Sequence, residues 1–357
     1  MSRNPLPPER HTTRDFFIAD IFDALPVKDD RHTMEHPFFT LSTKKDLRSI
    51  KYERNGVKVV VSPSHNYGLP TMFDKDILLY CGSLVVAELN KNPGERPPQT
   101  LRFSCHDLLI TTNRETNGKS YKLLKNAFER LNGVSVSTNV ETAGIKESAG
   151  FHLIEKWHVI ENSHEKSRMV KVEVKLSDWF YRALIGREVL TINRDYFRLR
   201  KPTERRMYEL ARKHCGNQEQ WKISLTNLKE KCGAQSLTKY FRASIKEIIA
   251  ANTRHQHFPD YGICLSDMDV VTFTNLDTEK HQSRYPLRMS EKATALCGTL
   301  KGGTLERGQD IVIQSGTGWD YRAIIEEFTA YLQKKGAPDK LNGAFIGFVR
   351  KKTAKAP

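Results

Sequence analysis

Lys119, Ser120, Lys122 and Asn126 place ammonium, hydroxyl and amide groups close together in one run, Gly118 to Arg130 (GKSYKLLKNAFER). Such groups donate hydrogen bonds to phosphate oxygens and base edges, and their cations displace condensed counterions. The chemistry they suggest is non-covalent recognition of a polyanion. A second set, Thr238, Lys239, Arg242 and Lys246, repeats the mix inside SLTKYFRASIKEII. Asn126 and Arg242 carry forked donors suited to base edges, whereas the lysines suit phosphates. Arg114 and Asn117, in the turn before the first set, are secondary candidates, and His255 and His257 are candidates for phosphate contact beyond the second.

Other chemistries fit less well. Gly118-Lys119-Ser120 resembles the end of a phosphate-binding loop, but Asn113 stands where the first glycine is required. His255-Gln256-His257 has the two histidines of a metal-dependent nicking site, with Gln in place of the bulky apolar residue between them. Cys215, Cys232, His255 and Cys264 have no compact metal-ligand spacing. No Ser/His/Asp or paired-carboxylate constellation stands out. The expectation is a non-enzyme with no catalytic residue, no metal and no cofactor.

The elements that must hold these residues are helices. In the first run Tyr121, Leu124, Phe128 and Leu131 share one face at helical period, with Lys119, Lys122, Lys125, Asn126 and Arg130 opposite. In the second, Leu237, Phe241, Ile245 and Ile248 are expected inward. Upstream of each lies an apolar residue, a serine cap and a leucine four residues later: Phe103-Ser104 with Leu108, and Ile223-Ser224 with Leu228. Two helix-turn-helix units with basic second helices are the reading.

Asn55-Gly56 predicts a type I′ hairpin between Tyr52 and Val59. Asp74 to Asn90 predicts a helix, and Gly133 is expected to end the basic helix in a left-handed C-cap. Val134–Val140, Phe151–Ile160 and Val170–Leu176 read as strands of one small sheet with basic turns. Pro202 opens a helix with Met207, Tyr208, Leu210 and Ala211 inward, and Tyr261–Leu265 with Val270–Phe273 forms a hairpin. The fold class is therefore α+β: two tandem winged-helix domains, each a helix-turn-helix plus a small antiparallel sheet. The expected segments are an N-terminal arm over 1–50 with a short amphipathic helix at Asp15–Leu25, domains over 51–189 and 190–276, a linker over 277–318, and a helical, basic module over 319–357.

The 357 residues carry a formal charge of +15, which favours a polyanionic partner. No apolar run suits a membrane span and the N-terminus has no signal core, so a cytoplasmic location is expected. The six cysteines are scattered with no CxxC pair and read as reduced.

The chain also resembles the plasmid replication initiator protein A family of bacteria. The residues that carry the resemblance are Arg14-Asp15-Phe16-Phe17-Ile18-Ala19-Asp20-Ile21, Met34-Glu35-His36-Pro37 with Phe39-x-Leu41-Ser42, Asp74-Lys75-Asp76-Ile77-Leu78, Gly118 to Leu131, and Leu176-Ser177-Asp178-Trp179. The resemblance implies an initiator that binds repeated origin DNA (iterons), helps recruit host replication factors and can repress its own promoter. Initiators of this general kind often change oligomeric state between repression and replication, so a homodimer and a monomer both stay open. The runner-up is a transcriptional repressor without a replication role. The C-terminal Phe328-x-x-Tyr331, Gly336, Ala344-Phe345 and Phe348 are similar to a tail of primosome and helicase-loading proteins. That likeness makes Tyr331, Phe345, Phe348, Arg350 and Lys351 candidates for single-stranded DNA or helicase contact; the alternative is that these aromatics are the core of a small helical cap.

Overall fold

The computed structural model describes residues 26–92, 94–145, 149–162, 168–216, 218–276, 291–315 and 321–354. The expected helix at Asp15–Leu25 and much of the arm lie outside the described residues. The chain divides into two compact units, Met1–Glu209 with Lys229–Pro259, and Leu210–Leu228 with Asp260–Pro357.

The first unit opens with β1 (Val27–Asp30), which pairs antiparallel with β9 (Val189–Ile192). Between them run the short helix α1 (Arg31–Glu35), β2 (Ile50–Arg54), β3 (Val57–Ser62), α2 (Lys75–Lys91), β4 (Thr100–Phe103), α3 (Cys105–Thr111), α4 (Gly118–Gly133), β5 (Ser135–Thr138), β6 (Ala149–Phe151), β7 (Ile154–Asn162), β8 (Arg168–Leu176) and α5 (Asp178–Ile185). Asn55 and Gly56 both have positive φ, 50° and 79°, as the type I′ turn between β2 and β3 requires.

The strands do not form one sheet. β5 and β6 extend the hairpin into a four-stranded sheet ordered β2-β3-β5-β6, whereas β7 and β8 join β4 in a three-stranded sheet ordered β4-β8-β7. The core beneath them holds Leu108, Leu124, Phe128, Leu131, Val172 and Val174, all at most 1% exposed. Phe128 stacks on Trp157 at 5.6 Å, which fixes the back of α4 against β7. Gly133 lies inside α4 without a left-handed φ. Its glycine is required by proximity: an added Cβ would come 2.9 Å from the Ser64 side chain.

Continuing, α6 (Pro202–His214), β10 (Gln220–Ser224), α7 (Leu225–Lys231), α8 (Thr238–His255), β11 (Tyr261–Leu265) and β12 (Val270–Asn275) follow. Strand, short helix and long helix here begin at 220, 225 and 238, each 120 positions after β4, α3 and α4. The three strands pair in the order β10-β12-β11, the first against the last and the last against the middle, as in β4-β8-β7. The expected inward residues Met207, Tyr208, Ile245 and Ile248 are fully buried and Phe241 is nearly so. Leu237 is the exception: it is 63% exposed, because it stands before the first helical residue rather than on the inner face.

Residues 291–315, expected within a linker, form α9 (Glu291–Thr299) and α10 (Gly302–Ser315). With α11 (Tyr321–Lys335) and α12 (Leu341–Thr353) they share a core of Leu296, Val312, Ile324, Phe328, Phe345 and Val349. One of the glycines that make the segment read as loose has a packing use: a Cβ on Gly308 would meet the Tyr321 hydroxyl at 2.8 Å and the Phe345 ring at 2.9 Å. Among the described residues no helix is long and apolar enough to cross a membrane.

Candidate nucleic-acid interface

Asn117 shapes the start of α4. Its side chain accepts the Ser120 amide at 3.0 Å, and the Ser120 hydroxyl donates to the same oxygen at 3.2 Å. Both residues therefore build the helix end, with Asn117 remaining exposed. Lys119, Lys122 and Lys125 are exposed and Asn126 is partly so, on the side opposite the buried Leu124, Phe128 and Leu131. The first turn of α4 has no acidic residue. A lysine there adds to the positive end of the helix macrodipole, so a bound anion would relieve it.

The start of α8 follows the same plan. Lys239, Arg242 and Lys246 stand 120 positions after Lys119, Lys122 and Asn126. Thr238, Lys239 and Lys246 are exposed, Arg242 is partly so, and again no acid occupies the first turn. The Lys239 ammonium sits 4.9 Å from the centre of the Tyr240 ring.

Several expected contact residues have internal partners. Arg114 donates to Asp76 Oδ2 from Nη2 at 2.6 Å and to the Phe73 carbonyl, so its guanidinium is held inward. Arg130, on the expected basic front, clasps Asp74 with two bonds of 2.7 Å. His257 Nε2 lies 3.2 Å from Glu204 Oε1 with its side chain only 8% exposed, which removes it from any phosphate. His255 closes the last turn of α8 and is partly buried. In the C-terminal helices, Phe345 is fully buried in the core, and Phe348 is partly buried and packs against that core beside Phe328. Tyr331 at 46% exposed, Arg350 and Lys351 remain at the surface.

Two features were not foreseen. A cleft of about 640 Å³ opens at the start of α4, lined by Lys44, Lys45, Lys119, Ser120, Leu123 and Arg200 among others. Lys44 and Lys45 lie far from α4 in sequence, and only the fold brings them to it. Burial and the neighbouring guanidiniums of Arg205 and Arg114 push the Arg200 pKa below its ordinary value. An anion in the cleft would offset that crowding of positive charge.

The second feature is a buried ionic network. Lys75 bonds Asp29 at 2.8 Å and lies 3.0 Å from Glu209, all three side chains at most 1% exposed. Burial opposes the Lys75 charge, yet Asp29 and Glu209 hold its pKa above the ordinary lysine value. Tyr196 donates to Glu209 at 2.7 Å, and Arg206 donates to Glu209 at 3.1 Å and to the Thr33, Met34 and Lys231 carbonyls. Asp76 accepts from both Arg205 and Arg114. The network ties β1 and α2 to the first turns of α6, so the helix before the first strand–helix–helix set is locked to the helix that opens the second. Charged residues in such numbers read as surface from sequence, because lone Asp, Glu, Lys and Arg are almost never buried.

Comparison with known proteins gives this arrangement a family. Residues 28–263 match the family "Replication initiator protein A". A protein of Wigglesworthia glossinidia brevipalpis, provisionally named as a replication protein, is 36% identical over 263 residues, covering 73% of this chain and 93% of its own. The chain belongs to the replication initiator protein A family. Among solved structures, domains 2 and 3 of RctB resemble it with a TM-score of 0.45 at 12% identity, over 66% of this chain and 94% of that one. The Pi initiator protein in complex with iteron DNA resembles it with a TM-score of 0.41 at 15% identity, over 66% and 100%.

Proposed function

We propose that this chain initiates replication by binding repeated double-stranded origin DNA through two winged-helix modules, with α4 and α8 each entering a major groove. The observation that carries the reading is the recurrence of strand, short helix and basic long helix at a constant spacing, closed each time by a sheet of the same strand order. Within it, Lys119, Lys122, Thr238, Lys239 and Lys246 hold phosphates. Asn126 and Arg242 read base edges. Lys44, Lys45 and Arg200 add phosphate contacts beside α4. The modules span 51–189 and 190–276, and no bond-breaking chemistry enters. Binding energy strains an adjacent duplex, and family membership supports the replication role.

The C-terminal helices present Tyr331, Arg350 and Lys351 at the surface, which suits contact with single-stranded DNA or the host helicase machinery. Repression of its own promoter and formation of a homodimer follow the same reading.

The test is competitive binding to direct repeats flanking the gene and to unrelated duplex, across a salt series. The expected result is a steep fall of affinity with salt on both, with the repeats preferred throughout. Equal affinity for the two duplexes at every salt would remove the sequence-reading role of α4 and α8.

A further inference from the structure

Leu237 occupies in the second module the position that Asn117 occupies in the first, immediately before the basic helix. Asn117 caps its helix with a side-chain oxygen; Leu237 makes no side-chain cap. Leucine is among the poorest residues at this position, where Asn, Asp, Ser and Thr satisfy free amides. It is also 63% exposed, and Tyr240, three residues on and therefore on the same side of the helix start, is 60% exposed. The Lys239 ammonium against the Tyr240 ring steadies that ring. The result is an apolar pair projecting from a helix end flanked by Lys239, Arg242 and Lys246.

A helix start that forgoes a side-chain cap and exposes two apolar side chains beside cations is suited to a ligand with both apolar and anionic groups. The flanking cations select a polyanion. Among the base-edge groups of duplex DNA in the major groove, the apolar one is the 5-methyl of thymine. We infer that Leu237 and Tyr240 are specificity-determining residues that read thymine methyl groups in the groove entered by α8. This rests on the DNA-binding reading above and adds the chemical group recognised and the residues that recognise it.

The experiment compares the bound repeat as a thymidine duplex and as a deoxyuridine duplex. Uracil keeps every hydrogen bond and phosphate and lacks only the methyl. Wild-type protein is expected to bind the deoxyuridine duplex about four-fold more weakly for each thymine methyl that the two side chains cover. Leu237→Ala and Leu237→Asn are expected to bind thymidine DNA more weakly and to show a smaller ratio than wild type, what is left being the share of Tyr240. Leu237→Asn restores the cap seen at Asn117 and is expected to melt no lower than wild type, so its loss of discrimination cannot come from unfolding. Equal wild-type affinity for the two duplexes, or a ratio undiminished in Leu237→Asn, overturns the inference while leaving DNA binding intact. Wild-type protein that prefers neither duplex over unrelated DNA overturns the sequence-reading role of α4 and α8, and this inference with it.

Discussion

Replacing Asp76 by Asn keeps the shape of a fully buried side chain and removes its charge. In the native chain this carboxylate accepts from Arg205 Nη1 at 2.6 Å and from Arg114 Nη2 at 2.6 Å and Nε at 3.2 Å. Asn has one acceptor oxygen, and its amide group would point a donor at a guanidinium. Arg114 is 18% exposed and can turn towards water; Arg205 is 2% exposed and cannot. Arg205 keeps the Leu199 carbonyl at 2.9 Å and the Phe73 and Tyr196 rings, but its charge is left uncompensated. Breaking a buried pair from one side costs about 3–5 kcal/mol, which at an m-value of roughly 2–3 kcal/mol/M lowers the urea midpoint by about 1–2 M. Urea unfolding followed by circular dichroism reads this directly. Adding Arg205→Met to Asp76→Asn should cost less than the sum of the two single changes, because the residues are in contact. A destabilisation under about 1 kcal/mol, the size of an exposed pair, or strict additivity would refute the buried network as a stabilising lock.

Further expectations follow from the same geometry. Burial lowers the His36 pKa to about 3, with Glu35 opposing and Lys231 and Arg206 assisting. The unfolded chain binds this proton near pH 6.5 and the native chain does not, so stability is present above pH 6.5 and is lost below it at about 1.4 kcal/mol per pH unit. His36→Gln should flatten that slope in urea titrations between pH 6.5 and 5; an unchanged slope would move the effect elsewhere. Lys122→Ala should reduce the salt dependence of duplex binding by about one unit, with no change in melting temperature; an unchanged slope takes Lys122 out of the interface. Phe345→Ala should destabilise the C-terminal helices by about 3–5 kcal/mol, as expected for a buried ring, and Tyr331→Ala should leave them within about 1 kcal/mol; similar thermal midpoints for the two variants would contradict the placement of Phe345 in the core.

What sequence reveals about this fold depends on the range of the signal. The Asn55-Gly56 turn, the Ser104 cap and the apolar faces of α4 and α8 are local patterns and appear where the sequence puts them, with Leu237 the exception. The partition of β5 and β6 from β7 and β8 depends on long-range pairing, and nothing local distinguishes the two sets. α9 was hidden by Gly298 and α10 by Gly302, Gly303 and Gly308, because glycine lowers helix propensity whether or not it is there to let helices approach. Arg114, His257 and Phe345 show the same limit at the site: residue type suggested contact with nucleic acid, and only tertiary partners, Asp76, Glu204 and the C-terminal core, show that they face inward. Conversely Lys44 and Lys45 join the α4 cleft through folding alone.

The central claim is that two modules in one chain each read a separate stretch of the same repeat. Hydroxyl-radical footprinting of the DNA flanking the gene tests it most directly, with wild type, Lys122→Ala and Arg242→Ala side by side. The account requires regularly spaced direct repeats, each protected over two major-groove segments, with Lys122→Ala weakening one segment and Arg242→Ala the other. A single protected segment, or two segments weakened equally by either variant, would contradict it.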